Sequence, residues 1–375
     1  MPLSRIRVNQ LRNLQEAQLS PSPRVNIITG QNGSGKTSVL EAIHLLGLAR
    51  SFRSTKLKPI IRNGERDCVV FGELTQNQSI HRLGVKRSID GSGELRIDGA
   101  PQRAASSLAE LLPLQLITPD SFMLLTGGPK PRRQFIDWGV FHVEHRFISL
   151  WKHFQGALKQ RNHLLRYGKI DSSVLSVWDA ELCKNAPLLD EMRQAYFKQL
   201  APLFREIAQR FDLGVDEQEL TLLYHRGWDS KASYEEVLEK NYERDLKSGY
   251  THMGPHRSDL YIRVGRSNAI DRLSRGQQKV LVCALKLAQA RLFQQLMERA
   301  TVFLVDDLAA ELDKHHRQVL CDELAKLDCQ VFVTCIEQSS LAGMWPDDAR
   351  IKVFHVEHGN ISESNQHKTG SQQES

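Results

Sequence analysis

The chain is 375 residues long, 41% hydrophobic and 25% charged, with a formal net charge of +6. No apolar run reaches the roughly 18–20 residues that a membrane-spanning helix needs, and Met1-Pro2-Leu3-Ser4-Arg5 lacks the apolar stretch of a secretory signal. A cytoplasmic globular protein with no membrane partner is expected.

The first hundred residues read as strands around one helix. A short apolar strand at 25–28 runs into Gly30, and residues 37–46 read as a helix. Apolar runs at 69–74, 80–85 and 95–97, punctuated by Asp90-Gly91 and Asp98-Gly99, predict an antiparallel meander. From about residue 132 the texture turns helical. Phe147, Leu150, Trp151, Phe154 and Leu158 recur at helical spacing, and similar periodicity runs through 174–211. Pro187 and Pro202 should break or kink that second stretch. Strand text returns at 259–264, and a long helix is expected over 275–297. A buried strand at 301–305, a helix over 314–327 and a strand at 330–335 follow. The expected boundaries are 1–128 and 251–361 for two parts of an α/β head and 129–250 for an inserted helical arm. A Ser/Gln/Asn-rich tail, 362–375, is expected to be disordered.

Six cysteines (Cys68, Cys183, Cys283, Cys321, Cys329, Cys335) are scattered without a Cys-x-x-Cys pair, and buried free thiols are expected. The tetrapeptide His-Val-Glu-His occurs at 142–145 and 355–358 but lacks zincin spacing. Basic clusters at 50–58, 129–133 and 159–161 point together to phosphate contacts.

Gly30-Gln31-Asn32-Gly33-Ser34-Gly35-Lys36-Thr37 fits G-x-x-x-x-G-K-[ST] between a strand and a helix. The glycines let successive N–H groups curl inward at phosphate oxygens, and the following helix adds its N-terminal dipole. Lys36 is expected at the β- and γ-phosphates and Thr37 on Mg²⁺. No Asn-Lys-x-Asp guanine-reading motif is present, which favours ATP over GTP. The strand at 301–305 ends on two carboxylates. Asp306 is expected to hold Mg²⁺ or its water shell, and Asp307 to orient the attacking water. Lys36, Asp306 and Asp307 are therefore the candidate catalytic residues.

Leu273-Ser274-Arg275-Gly276-Gln277-Gln278-Lys279 opens the long helix. Ser274 and Gln277 fit a capping box, and a serine-capped helix N-terminus is also a ready anion site; both readings can hold. The order of these motifs is that of ABC ATPases, whose signature resembles Leu-Ser-Gly-Gly-Gln. That resemblance implies that Ser274, with Gly276 and Gln277, meets the γ-phosphate bound by a second copy. Glu311-Leu312-Asp313 resembles the D-loop, which would bring Asp313 to the same interface.

A closer resemblance rests on several segments together: Gly30–Thr37, Leu40-Glu41-Ala42-Ile43-His44-Leu45-Leu46, Arg50-Ser51-Phe52-Arg53, Gly127–Arg133, Lys159-Gln160-Arg161-Asn162, Gly254-Pro255-His256-Arg257, Leu-Ser-Arg-Gly-Gln and Val305-Asp306-Asp307. They strongly resemble the RecF family of bacterial recombination mediators, from the first strand to about Gly359. The resemblance implies an α/β P-loop NTPase head of ABC/SMC type with an antiparallel side sheet and a short helical arm. It also implies ATP and Mg²⁺ as cofactors, an ATP-dependent homodimer and slow, DNA-dependent hydrolysis. DNA (single-stranded, duplex or junction) would be one partner, with RecR and RecO in loading recombinase at gaps during repair, replication and the SOS response.

Departures from the ABC pattern qualify that picture. Thr334 stands where a switch histidine is expected, and Gln115 or Asp120 is left as the Mg²⁺-sensing residue. Asp307 replaces the usual glutamate and is one methylene shorter, so turnover below the roughly 10 s⁻¹ enzyme median is expected. Ser258 stands where the family often has an acid, which leaves His256-Arg257 open between a salt bridge and a nucleotide contact. A transporter subunit would carry far fewer residues between Lys36 and Ser274. A nuclease fused to such a head would need a further acidic domain. A DNA-bound scaffold that barely hydrolyses ATP is a close neighbour of the main reading.

Overall fold

A computed structural model of the chain describes residues 2–364 apart from 77, 168–171, 217 and 347. The first strands are β1 Leu3–Leu11, β2 Leu14–Leu19, β3 Val25–Thr29, β4 Asp67–Gln76, β5 Ser79–Ser88, β6 Gly93–Ile97, β7 Ala100–Pro101 and β8 Leu114–Ile117. They are followed by β9 Leu220–His225, β10 Asp259–Val264, β11 Ser267–Asn268, β12 Val302–Val305, β13 Gln330–Cys335, β14 Ile351–Glu357 and β15 Asn360–Ser364. The helices begin with α1 Lys36–Leu48, α2 Ser106–Leu111, α3 Met123–Thr126, α4 Pro129–Val143, α5 Phe147–Tyr167 and α6 Ser172–Arg210. The remainder are α7 Tyr234–Lys240, α8 Tyr242–Ser248, α9 Ala269–Arg272, α10 Arg275–Met297, α11 Leu308–Glu311 and α12 Lys314–Lys326.

The chain forms two compact units, Met1–Ser121 with Glu298–Ser375, and Phe122–Met297. This division differs from the expected boundaries. Residues 251–297, expected in the head, fold with the arm, because β10 pairs with β9 and α10 packs on α6 and α4. Within the tail expected from 362, residues 362–364 belong to β15, which pairs with β14, and 365–375 lie outside the described residues.

The first unit, the head, holds two sheets. One runs β15-β14-β3-β13-β12-β8 and is parallel except for β15. Its central strands β3, β12 and β13 are buried along their whole length, as expected of a sheet covered on both faces, and are mostly apolar apart from Asn26, Thr29, Gln330 and Thr334. The other is the antiparallel order β2-β1-β4-β5-β6-β7, with the alternating burial of a one-faced sheet in β4. Helix α1 packs on strands of both sheets, so it is buried nearly all round rather than along one stripe. Leu40, Ile43 and Leu46 are fully buried, each contributing about 1.5–3 kcal/mol. Gly72 in β4 is needed there: a Cβ would stand 2.4 Å from Leu46 Cδ2.

In the second unit α5 and α6 form an antiparallel pair, and α6 also packs on α10, α4 and β9. Neither proline breaks the stretch: α6 runs as one helix through Pro187 and Pro202. A helix-interior proline costs about 3 kcal/mol. Leu182, Ala186 and Leu189 flank the first proline, Leu200 and Phe204 the second, and all are buried; packing of that size outweighs the lost hydrogen bonds. Buried arginines tie the elements together. Arg161 reaches Asp179 (2.6 Å) and Asp245 (2.7 Å), while Arg193 reaches Asp137 (2.7 Å) and lies 5.1 Å from the Trp151 ring.

Candidate nucleotide site

The phosphate loop follows β3, deep in the parallel sheet. Gly30 and Gly35 hold φ of 148° and 123°, a region that disfavours any side chain. Space forbids one too: a Cβ on Gly30 would lie 2.3 Å from the Val356 carbonyl, and one on Gly35 2.9 Å from Asn13 Nδ2. Helix α1 starts at Gly35 without a side-chain cap, which leaves its first N–H groups for an anion. Lys36 Nζ donates to the carbonyls of Gly30 (2.7 Å) and Gln31 (3.1 Å), closing the loop around its ammonium. Ser34 Oγ is buried with no partner among the described residues. Gln31, Asn32 and Gly33 complete the turn.

Thr37, at the head of α1, and Asp306, after β12, meet side chain to side chain. The Thr37 hydroxyl lies 3.0 Å from each Asp306 carboxylate oxygen. Burial pushes the Asp306 carboxyl up, opposed by hydrogen bonds donated by Thr334 and Thr37. Asp307 adopts a left-handed backbone (φ 51°), and its N–H donates to Thr334 Oγ1 at 2.7 Å. The same Thr334 hydroxyl donates to Asp306 at 2.8 Å. Thr334 thus fastens both acids from β13.

These groups line one cleft of about 810 Å³, with Lys36, Arg53, Lys58 and Arg12 as its cations and Asp306 and Asp307 as its acids. The chemistry fits a magnesium nucleotide. Uncapped N–H groups and cations suit a polyphosphate, and a hydroxyl beside one carboxylate is the sparse oxygen donor set that Mg²⁺ accepts. Among the described residues no group of three or more His, Cys, Asp or Glu could hold a metal on its own, and both His-Val-Glu-His tetrapeptides fall under that statement. The six cysteines are free thiols, five of them buried.

Several residues of this cleft escaped the motif reading. Asn13, in the β1–β2 turn, donates to the Ser34 carbonyl (2.7 Å) and accepts from Ser38 (3.0 Å), bracing the loop from the side sheet. Arg12 makes a two-pronged bond to Glu41 (2.8 Å each), a fully buried carboxylate that also accepts from Ser51. In the sequence Glu41 is marked only within the resembling segment Leu40–Leu46, and Arg50-Ser51-Phe52-Arg53 only as a basic segment, with no partner named for either. Neither Gln115 nor Asp120 lines the cleft, whereas Pro119 does.

Ser274 and its neighbours belong to the second unit. Ser274 Oγ accepts from the Gln277 N–H (3.3 Å), and Gln277 Oε1 accepts from the Ser274 N–H (2.7 Å), a capping box. Gln277 also donates to the Leu213 carbonyl at 2.7 Å, so its amide is engaged within the arm. Ser274, Arg275 and Gly276 are exposed. Asp313 caps α12, accepting from the His316 N–H at 3.0 Å. His256 and Arg257 sit in the arm unit: His256 is half-buried with Nε2 2.9 Å from the Thr251 carbonyl, and Arg257 lies over Tyr250. Ser258 is engaged by Arg193 and Arg133.

The family model for the RecF/RecN/SMC N-terminal domain matches residues 2–362. The DNA replication and repair protein RecF of Pseudomonas syringae pv. tomato is 51% identical over 98% of this chain and 100% of its own length. That of Pseudomonas fluorescens (strain Pf0-1) is 50% identical over the same shares. The chain belongs to the RecF family. A solved structure of a recombination mediator protein RecF with ATP, from the RecFOR pathway, superposes with a TM-score of 0.84 at 22% identity, covering 97% of this chain and 98% of that one. An Smc head bound to the C-terminal winged-helix domain of ScpA superposes at 0.59 and 14% identity, covering 98% and 99%. The fold is therefore the P-loop head of the RecF and SMC proteins, and the chain is a DNA replication and repair protein of that family. Among the described residues no helix is long and apolar enough to cross a membrane.

Proposed function

We propose that this protein is an ATP-driven DNA-binding switch whose catalytic site is completed by a second copy. The observation that carries the reading is the Thr37–Asp306 pair beside an uncapped, glycine-walled helix start. In this reading Gly30 to Thr37 bind the phosphates of ATP, with Lys36 at the β- and γ-phosphates. Thr37 and Asp306 hold Mg²⁺, which supplies charge neutralisation on the phosphate oxygens. Asp307 orients the attacking water. Ser274 and Gly276 of a second copy, placed by Gln277, cap the γ-phosphate, and Asp313 lies along the joint.

ATP closes the homodimer on DNA in the cytoplasm, at gaps or single-strand/duplex junctions, and hydrolysis releases it. Turnover is weak because the Asp307 carboxylate is one methylene shorter than the usual glutamate and is held in a left-handed turn. RecR and RecO are the proposed partners in helping to load recombinase. The support for DNA, dimer and partners is family membership at about half identity over the full length of the curated relatives. The deciding experiment is Ser274→Arg in the full chain. ATP binding by equilibrium dialysis should match the wild type, while ATP-dependent dimerisation by sedimentation is lost. A Ser274→Arg chain that dimerises normally with ATP sinks the shared-site reading.

A further inference from the structure

The outward face of α5 has no role in anything described so far. Its inward face is accounted for, with Phe154, Ala157, Leu158, Arg161 and Leu165 buried. The exposed side is unusual in charge: no Asp or Glu occurs anywhere in the helix. Lys152, Lys159 and Arg166 stand at seven-residue intervals and all are exposed. Seven residues at 1.5 Å rise set successive cations about 10 Å apart, and drift of about 20° per repeat keeps them on one face. Among the described residues none of the three pairs with a carboxylate, whereas exposed cations elsewhere do, such as Lys326 with Glu323 and Arg96 with Glu94.

Two of these cations, Lys159 and Arg166, line a cleft of about 780 Å³ together with Gly156, Gln160 and His163 among others, again without an acid. Gly156 has no packing reason to be glycine, since a Cβ there meets nothing within 4 Å. In a helix interior it costs about 1 kcal/mol relative to alanine. An open notch in the middle of a positive stripe admits a polyanion to the helix surface.

We infer that this face of α5 tracks a DNA phosphate backbone, with Lys152, Lys159 and Arg166 as the phosphate-contacting cations and Gly156 as the point of closest approach. The inference rests on the DNA-binding reading above and adds its location. It also sorts the basic cluster at 159–161: Lys159 faces outward, while Arg161 is fully buried against Asp179 and Asp245.

The open space at Gly156 provides the test. Gly156→Glu sets a carboxylate in the stripe on a Cβ that meets nothing within 4 Å, and Gly156→Ala is its neutral control. Fluorescence anisotropy with the full chain, on duplex, gapped and single-stranded oligonucleotides with and without ATP, should show affinity reduced about tenfold by Gly156→Glu, a change of the size that losing phosphate contacts brings. Gly156→Ala should bind as the wild type. The double variant Lys159→Ala/Arg166→Ala should lower the slope of log affinity against log salt by about 0.9 for each duplex phosphate contact removed. Wild-type affinity and slope in both charge variants would overturn the inference and leave this face to an acidic protein surface. If the wild-type chain itself shows no salt-dependent DNA binding, the DNA reading falls, and this location with it.

Discussion

Thr334 shows how one hydroxyl can organise two acids. It is fully buried, donates to Asp306 and accepts from the Asp307 N–H. Thr334→Val keeps the shape but strips both bonds, leaving an N–H and a carboxylate short of a partner, at a cost of about 1–3 kcal/mol. Thermal unfolding should shift down and ATP turnover fall, while Thr334→Ser retains both. Lys36→Ala should abolish ATP binding in equilibrium dialysis, because Lys36 is the sole Lys or Arg of the segment 30–37 and its ammonium is held by the loop's own carbonyls at Gly30 and Gln31. The phosphate loop was legible in sequence because its residues are contiguous. The place of Thr334 was not. In the sequence Thr334 stands out only as a departure from a histidine, and its partners follow from the parallel register of Val305 with Val333, a long-range pairing. Asn13 and Glu41 were hidden for the same reason.

At the scale of elements, periodicity served well where helices were long. The helix expected over 275–297 is α10, Arg275–Met297. It served poorly where burial overrode composition. Arg161, part of a basic cluster expected at phosphate, is fully buried, as is Arg193, and two prolines do not divide α6. His256 illustrates the consequence. Burial lowers its pKa from 6.5 to about 4, with Arg257 and Arg133 also lowering it while the Thr251 carbonyl and Asp245 oppose the shift. The folded arm therefore keeps His256 neutral, and the unfolded chain takes up the proton first. The stabilisation is fully present above pH ~6.5 and is lost as pH falls toward ~4, on the order of 3 kcal/mol. Urea midpoints measured from pH 7.5 to 5 should decline, and His256→Gln should flatten the decline across that window.

For the whole molecule, the division into units carries the most consequence. The phosphate loop, Asp306 and Asp307 fold in one unit, and Ser274 and Gln277 in the other. The sequence suggested the opposite grouping for 251–297, since motif order says nothing about which helices pack together. Under the proposed mechanism, hydrolysis is what reopens the pair. Asp307→Asn should leave ATP binding intact and lengthen the life of the ATP-bound dimer, read as a slower return to monomer in sedimentation or light scattering after ATP is withdrawn. An unchanged lifetime would remove Asp307 from the catalytic role proposed for it.

The capping box at Ser274 has a further implication. Its oxygen receives the helix N–H through a lone pair, so its own hydrogen stays uncommitted to that bond. A single atom can therefore finish a helix on one side while offering a proton to a phosphate on the other. Aspartate would cap the helix as well as serine does, yet it would present only negative charge outward. Of the ordinary N-cap residues, those that both accept and donate are the ones that let a structural terminus double as a molecular latch.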